Sequence, residues 1–344
     1  MKKLAVFLAL SPLSGLALAQ SSVTVFGVVD AAVRNVKNGG TSVTSLTSGA
    51  LSSSRFGFRG IEDLGDGLKV GFWLEAAVAA DTGDIGDAAG RSFSRRATVS
   101  LSGSVGEIRL GRDFTPTYLT YSIYDPFGDN GVGASSKFNS SFGTARDTSV
   151  RADKQIMYFL PSGLGGVYGS ASFVPRETAA GKRYTGGRVG YTSGPFDISA
   201  AYGQTTVAPL QGEDKFKEAE VGAAYNAGFA KIMVSYEQSR FVSQKLSRYG
   251  IGAVAPVGVG QIRVMYTHAN AAGTTGTRVN VDANDADQIA LGYVHNLSTR
   301  TALYGTFAYV KNKGRAAFAV AATTPALVAG TRSSGLEFGL RHSF

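Results

Sequence analysis

Leu68-Lys69-Val70-Gly71-Phe72-Trp73-Leu74-Glu75 alternates with a period of two. Successive side chains of a β-strand point to opposite faces, so Leu68, Val70, Phe72 and Leu74 share one face and Lys69, Gly71, Trp73 and Glu75 the other. The segment before it repeats the pattern: Phe56 and Phe58 oppose Arg55, Gly57 and Arg59, and residues 62–67 (EDLGDG) form the turn between the two. Upstream, Val23, Val25, Val29, Ala31 and Val33 face away from Thr24, Asp30 and Arg34. Each strand carries one apolar face and one wet face.

The alternation continues to the C-terminus. Further strands are expected near 92–103, 106–113, 150–160, 165–175, 183–193, 195–204, 217–227, 229–239, 245–256, 259–269, 286–297, 300–312 and 333–344, making sixteen in all. Short connections (102–106, 193–195, 226–228, 256–258, 297–300) alternate with longer polar ones. An even strand count with short turns at one end and long loops at the other is the pattern of a bacterial outer-membrane barrel.

The N-terminus supplies the route. Met1-Lys2-Lys3, the apolar run 4–10 (LAVFLAL) and Ala17-Leu18-Ala19 form a secretory signal peptide at 1–19, with Gln20 first in the mature chain. The apolar run is too short to span a bilayer, which takes about 20 apolar residues. No later segment is apolar enough for a transmembrane helix, and only helices and closed barrels satisfy every backbone group in lipid. The expected fold is therefore all-β, a 16-stranded antiparallel transmembrane β-barrel over residues 20–344.

Composition agrees. The 344 residues include 45 Gly, 20 Phe and 15 Tyr, and the mean hydropathy of +0.02 averages over alternating residues. The net charge of +9 becomes +7 once Lys2 and Lys3 leave with the signal peptide. Those charges are spread along strands without a basic patch, which argues against nucleic acid. The absence of cysteine argues against a small disulfide-stapled secreted domain. A soluble sandwich would keep its outer face polar, and no fixed repeat of the length a solenoid needs is present.

Residues 54–68 (SRFGFRGIEDLGDGL) resemble the second strand and turn of general outer-membrane porins of the β-proteobacterial, neisserial and Bordetella-like type. Residues 106–112 (GEIRLGR) resemble the strand entering their constriction loop, 297–304 (LSTRTALY) their penultimate turn, and 339–344 (GLRHSF) their terminal strand. The resemblance covers the whole mature chain. It implies a homotrimer in the outer membrane of a Gram-negative bacterium, with the third loop, L3, folded into the lumen. The function it implies is passive diffusion of small hydrophilic solutes and ions through a water-filled channel, with no cofactor.

One connection is out of scale. From about 113 to 150 there is no clean strand pattern, yet the segment holds Tyr118, Tyr121, Tyr124, Phe127 and Phe138. Long loops are functional or disordered; one this aromatic is expected to pack inside the barrel and narrow it. It carries Asp125 and Asp129. On the wall, parity turns Arg55 and Arg59 inward, and sets Arg151 in phase with Asp153 and Gln155. Near 95 parity selects Arg96, whereas the resemblance favours Arg95. Arg188 also reads as inward, farther away. The expected pore constriction is thus Arg55, Arg59, Arg95 or Arg96, and Arg151, facing Asp125 and Asp129. Arginines opposite carboxylates set up a transverse field, and an arginine excess favours anions. Each arginine also reads simply as a polar residue on a wet face.

An enzyme is not expected. A hydrolase needs a positioned base, and only His268, His295 and His342 exist, without any of the familiar nucleophile, metal or phosphate-loop spacings. Two alternatives stand beside the general channel: a substrate-specific channel, recognisable by saturable transport, and an adhesin or receptor barrel using outer loops such as 270–284.

Overall fold

The computed structural model describes residues 22–175, 183–208, 214–275, 277–322 and 326–344; the expected signal peptide lies outside them. Among the described residues seventeen strands follow one another: β1 (Ser22–Asn38), β2 (Thr41–Ser48), β3 (Arg55–Gly65), β4 (Leu68–Ala77), β5 (Arg96–Gly103), β6 (Gly106–Phe114), β7 (Arg151–Phe159), β8 (Val167–Val174), β9 (Arg183–Ser193), β10 (Phe196–Ala208), β11 (Asp214–Asn226), β12 (Lys231–Phe241), β13 (Gln244–Val257), β14 (Gly260–Ala272), β15 (Ala286–Asn296), β16 (Thr301–Asn312) and β17 (Arg332–Ser343).

Seventeen strands make sixteen staves. The upper half of β1 pairs with β2 (Ala31 opposite Ser48) and its lower half with β3 (Val28 opposite Arg55), so β2 and β3 are two pieces of one stave, interrupted at 49–54. From β3 onward each strand pairs antiparallel with the next. β17 returns to β1, with Asp30 opposite Arg341, and closes the barrel. Closure leaves no sheet edge, as hydrocarbon requires.

The two faces part as alternation demands. On β16 the outward Leu303 and Phe307 are exposed, while Ala302, Tyr304, Ala308 and Val310, of the opposite parity, are buried. Outward valines, isoleucines and leucines recur on nearly every stave, among them Val29, Val99, Val189, Val234, Ile251 and Leu340. At Asp66-Gly67, between β3 and β4, both residues have positive φ (51° and 78°), the geometry of the tight hairpin turn whose twist matches its strands.

Three expectations need correction. Strand β2 has no counterpart among the expected strands, because Thr41–Ser48 (TSVTSLTS) is too polar on both faces to show alternation. The fourth expected strand begins at Arg96 instead of 92. The segment 113–150 is not structureless: it contains a helix α1 (Pro116–Ile123), capped by the Thr115 side chain and started by a proline, and a 3-10 stretch (Ser136–Arg146) broken at Gly143.

Candidate functional site

The segment between β6 and β7 reaches strands far from its own ends. Tyr124 is almost wholly buried, its ring occupying the space that a Cβ at Gly222 on β11 would need, and its hydroxyl donates to Asp197 and Ser199 on β10. The Val132 amide donates to Glu337 on β17 (3.1 Å), and Gln288 on β15 donates to the Gly133 carbonyl (2.7 Å). Arg248 on β13 donates to the Ser135 carbonyl (2.6 Å), and Asn139 donates to Glu237 on β12 (2.7 Å). Phe138, Val132 and Phe142 join an apolar cluster with Val310, Phe216 and Phe318. These contacts cover β10 to β17 on the face opposite the exposed apolar band. The corresponding face of β3 to β7 is left open.

A cavity of about 640 Å³ occupies that open side. Arg55, Arg59, Arg95 and Arg151 line it, with Glu75 and Trp73, against Tyr118, Asp129 and Asn130 of the segment. Four guanidinium groups thus meet two side-chain carboxylates, a local excess of two positive charges. Glu75 sits among them: Arg95 Nε is 2.6 Å and Arg55 Nε 4.0 Å from Glu75 Oε1. Arg151 has no carboxylate partner among the described residues. Its Nε donates to the Arg95 carbonyl (2.8 Å), and its guanidinium lies 4.1 Å from the centroid of the Phe114 ring, which stacks in turn on Tyr118.

A second cavity of about 420 Å³ adjoins the first at Arg59 and Trp73, toward the end of the barrel with the short turns, and adds Lys69, Thr98, Arg96 and Glu107. Arg59 and Arg96 both lie against Trp73, 5.1 and 4.4 Å from its ring centroid. The choice between Arg95 and Arg96 therefore dissolves. Arg95 precedes the first paired residue of β5, so it escapes the pleat and enters the larger cavity. Arg96 follows parity into the smaller one and lies 3.3 Å from Asp113, a carboxylate that Arg109 also holds (2.8 Å).

The two expected aspartates separate. Asp129 lines the cavity, half-buried, and burial pushes its carboxyl up to about 6 despite a hydrogen bond from Ser136. Asp125 does not reach it: one oxygen accepts the Phe127 amide (2.8 Å) and the other the Tyr121 hydroxyl (2.8 Å), an Asx turn that shapes the segment. Asp153 also leaves the phase expected for it. Lys154 has a positive φ of 58°, and the register between β6 and β7 shifts there, so Asp153 pairs with Arg112 (2.6 Å) and Arg91 (3.3 Å). Arg188 lies over Tyr168 (4.9 Å), away from the cavity.

Glu75, Tyr118 and Arg341 stand outside the constriction set expected from the sequence. Parity does turn Glu75 inward, and it would also have found Arg341, which lies on the inward side of β17 within electrostatic reach of Arg55. Tyr118 had no such signal, because a loop has no parity.

A family model described as Gram-negative porin matches residues 4–315. Outer membrane porin protein 32 of Delftia acidovorans is 40% identical, the alignment covering all of both chains. An outer membrane porin protein of Bordetella pertussis is 26% identical over 97% of each chain. Among solved structures, an anion-selective porin from Comamonas acidovorans superposes with a TM-score of 0.81 at 38% identity, covering 94% of this chain and 100% of that one. The strand order, the closure and these relatives agree, and the chain belongs to the Gram-negative porin family.

Proposed function

We propose that this outer-membrane porin is a general diffusion channel with an anion preference, narrowed by the segment of about 113–150 lying inside its lumen. The observation that carries the reading is the cavity in which Arg55, Arg59, Arg95 and Arg151 outnumber Glu75 and Asp129. The inward placement of the segment is supported by its hydrogen bonds to Asp197, Glu237, Gln288 and Glu337, on strands distant from β6 and β7.

The mechanism is electrostatic and steric. A hydrated anion entering the narrow zone meets a ladder of guanidinium groups, and Glu75, the strand carboxylate lining the larger cavity among the described residues, is shared between Arg55 and Arg95. Arg151, with no carboxylate partner among the described residues, offers its charge to the solute. Asp129 on the opposite side supplies the negative pole of a transverse field, which aligns dipolar solutes as they pass. Nothing in this process needs a cofactor or a chemical step, and no enzymatic role is assigned. Solutes move down their own gradients.

The proposal includes a homotrimer. The exposed Val23, Val25, Val29, Val33 and Leu46 on the first two staves form a branched apolar face suited to a second copy, while lipid covers the rest. It also includes removal of residues 1–19 before assembly.

Swelling of proteoliposomes in neutral sugars and in anionic and cationic solutes of graded size tests the reading. Rates that fall smoothly with size, without saturation, and favour anions over cations of equal size support a general channel. Saturation by one solute class would favour the substrate-specific alternative, and no swelling from a folded barrel would favour an adhesin or receptor.

A further inference from the structure

The second stave is interrupted where the chain reads Gly49-Ala50-Leu51-Ser52-Ser53-Ser54. β2 stops at Ser48, opposite Ala31, and β3 starts at Arg55, opposite Val28, so these residues face only Val29 and Asp30 of β1. Backbone groups turned toward hydrocarbon find no partner there, so the surplus has to turn to the inner side. It does. Ser52 and Ser53 line the larger cavity, while Ala50 and Leu51 pack with Ala32, Ala302 and Tyr304.

Asp30 replaces the missing ladder. Fully buried, it accepts the Leu51 (3.1 Å) and Ser52 (2.8 Å) amides on one carboxylate oxygen and the Tyr304 hydroxyl on the other. Its carbonyl accepts the Gly49 amide (2.8 Å), and its amide donates to the Ser54 hydroxyl (2.9 Å). A satisfied buried network of this kind is rigid. Residues 49–54 are therefore a fixed projection of the wall.

The projection meets the segment between β6 and β7 at residues 128–131. The amide and the hydroxyl of Ser53 both donate to Asn130 Oδ1 (3.0 and 2.9 Å), and Asn130 Nδ2 donates to the Gly128 carbonyl (2.6 Å). The Ala50 carbonyl lies against Gly131 and leaves no room for a Cβ there. Between these contacts stands Asp129, with a left-handed φ of 59°. A residue other than glycine keeps such a conformation where its surroundings over-determine it, and here its neighbours are the residues tied to the wall.

We propose that residues 49–54 form a second constriction element, in which Ser53 acts through Asn130 to hold the Asp129 carboxylate at its place across the cavity from Arg55, Arg95 and Arg151. Ser53 and Asn130 are positioning residues: neither carries the charge, and both decide where it stands. One contact then sets both the bore of the pore and the negative pole of its transverse field. The proposal rests on the reading that the segment between β6 and β7 narrows the lumen.

The test uses the refolded full barrel in planar bilayers at neutral pH, with two readouts: the largest polyethylene glycol that enters the open channel, and the reversal potential under a salt gradient. Asn130→Ala removes both bonds from Ser53 and is expected to admit larger polymers. It is also expected to uncouple Asp129. In the wild-type background Asp129→Asn raises the anion-to-cation ratio about fourfold; in the Asn130→Ala background it raises it less than about twofold, because a charge about twice as far away is largely screened. Ser53→Ala gives a smaller change in the same direction and adds nothing to Asn130→Ala. Ser53→Thr keeps the hydroxyl and the wild-type behaviour, which separates a lost bond from a damaged fold. An Asn130→Ala channel with the wild-type bore and the full effect of Asp129→Asn would overturn the proposal, as would a Ser53→Ala effect that adds in full to that of Asn130→Ala. Either result beside an anion-selective wild type leaves the channel reading intact, whereas a wild type without anion preference overturns that reading and the proposal with it.

Discussion

Asp129 offers a perturbation that needs no mutation. Its carboxyl, pushed up to about 6 by burial, is almost wholly ionised at pH 7.5 and about nine-tenths protonated at pH 5. A group with a raised value takes up its proton as pH falls through that value, so acidification removes a negative charge and raises the local excess from two positive charges toward three. An ion passing about 6 Å away feels one unit charge at about 0.7 kcal/mol in water, or about 0.4 kcal/mol after screening at 0.1 M salt. That energy about doubles anion occupancy and halves cation occupancy, a roughly fourfold rise in the permeability ratio. Lys137, whose ammonium donates to the Val132 carbonyl of the same segment (2.6 Å) and is lowered to about 7 by burial, gains positive charge over a neighbouring window, which also favours anions. Asp129→Asn separates the two: it keeps the change near pH 7 and abolishes the change near pH 6. The assay is the reversal potential of single channels under a salt gradient between pH 4.5 and 8. A wild-type ratio that stays flat, or one that keeps its step near pH 6 in Asp129→Asn, would refute the reasoning.

Two further outcomes follow from the packing. Gly222→Ala places a methyl group where the Tyr124 ring lies; overpacking of this kind costs about 1–3 kcal/mol, so the variant should unfold at lower temperature by circular dichroism and show noisier open-channel current as the segment loosens. Glu75→Gln removes the carboxylate shared by Arg55 and Arg95 and should raise the anion-to-cation ratio by about the same roughly fourfold factor, read as a reversal-potential shift.

Much of the wall was legible because hydrocarbon on one side and water on the other impose a two-residue rhythm that Leu68–Ala77 and Thr301–Asn312 keep without a break. Where the rhythm fails, parity fails with it. Thr41–Ser48 lies in β2 but carries hydroxyls on both faces, so no apolar stripe marks it. Lys154 takes a left-handed conformation inside β7, and the extra residue sends Asp153 to Arg112. Arg95 enters the large cavity because it stands just outside the pleat of β5. Inside the long segment the rule has no purchase at all. Asp125 and Asp129 look alike in Tyr124-Asp125-Pro126-Phe127-Gly128-Asp129, and only the hydrogen bond from the Phe127 amide marks Asp125 as a turn-former. Thr115-Pro116, a cap followed by a proline, is a readable helix start in a stretch that shows no strand pattern.

The central claim is that the arginine ladder lining the large cavity sets the selectivity of the pore, and Arg151, which like Arg59 has no carboxylate partner among the described residues, is its most direct test. Single-channel reversal potentials should be compared for wild type, Arg151→Ala and Arg95→Ala with Arg151→Ala. Wild type should be anion-selective, the single variant roughly fourfold less so and the double variant close to unselective, with conductance preserved. A double variant that conducts with unchanged anion selectivity would contradict the account and place the selectivity of this porin elsewhere along its path.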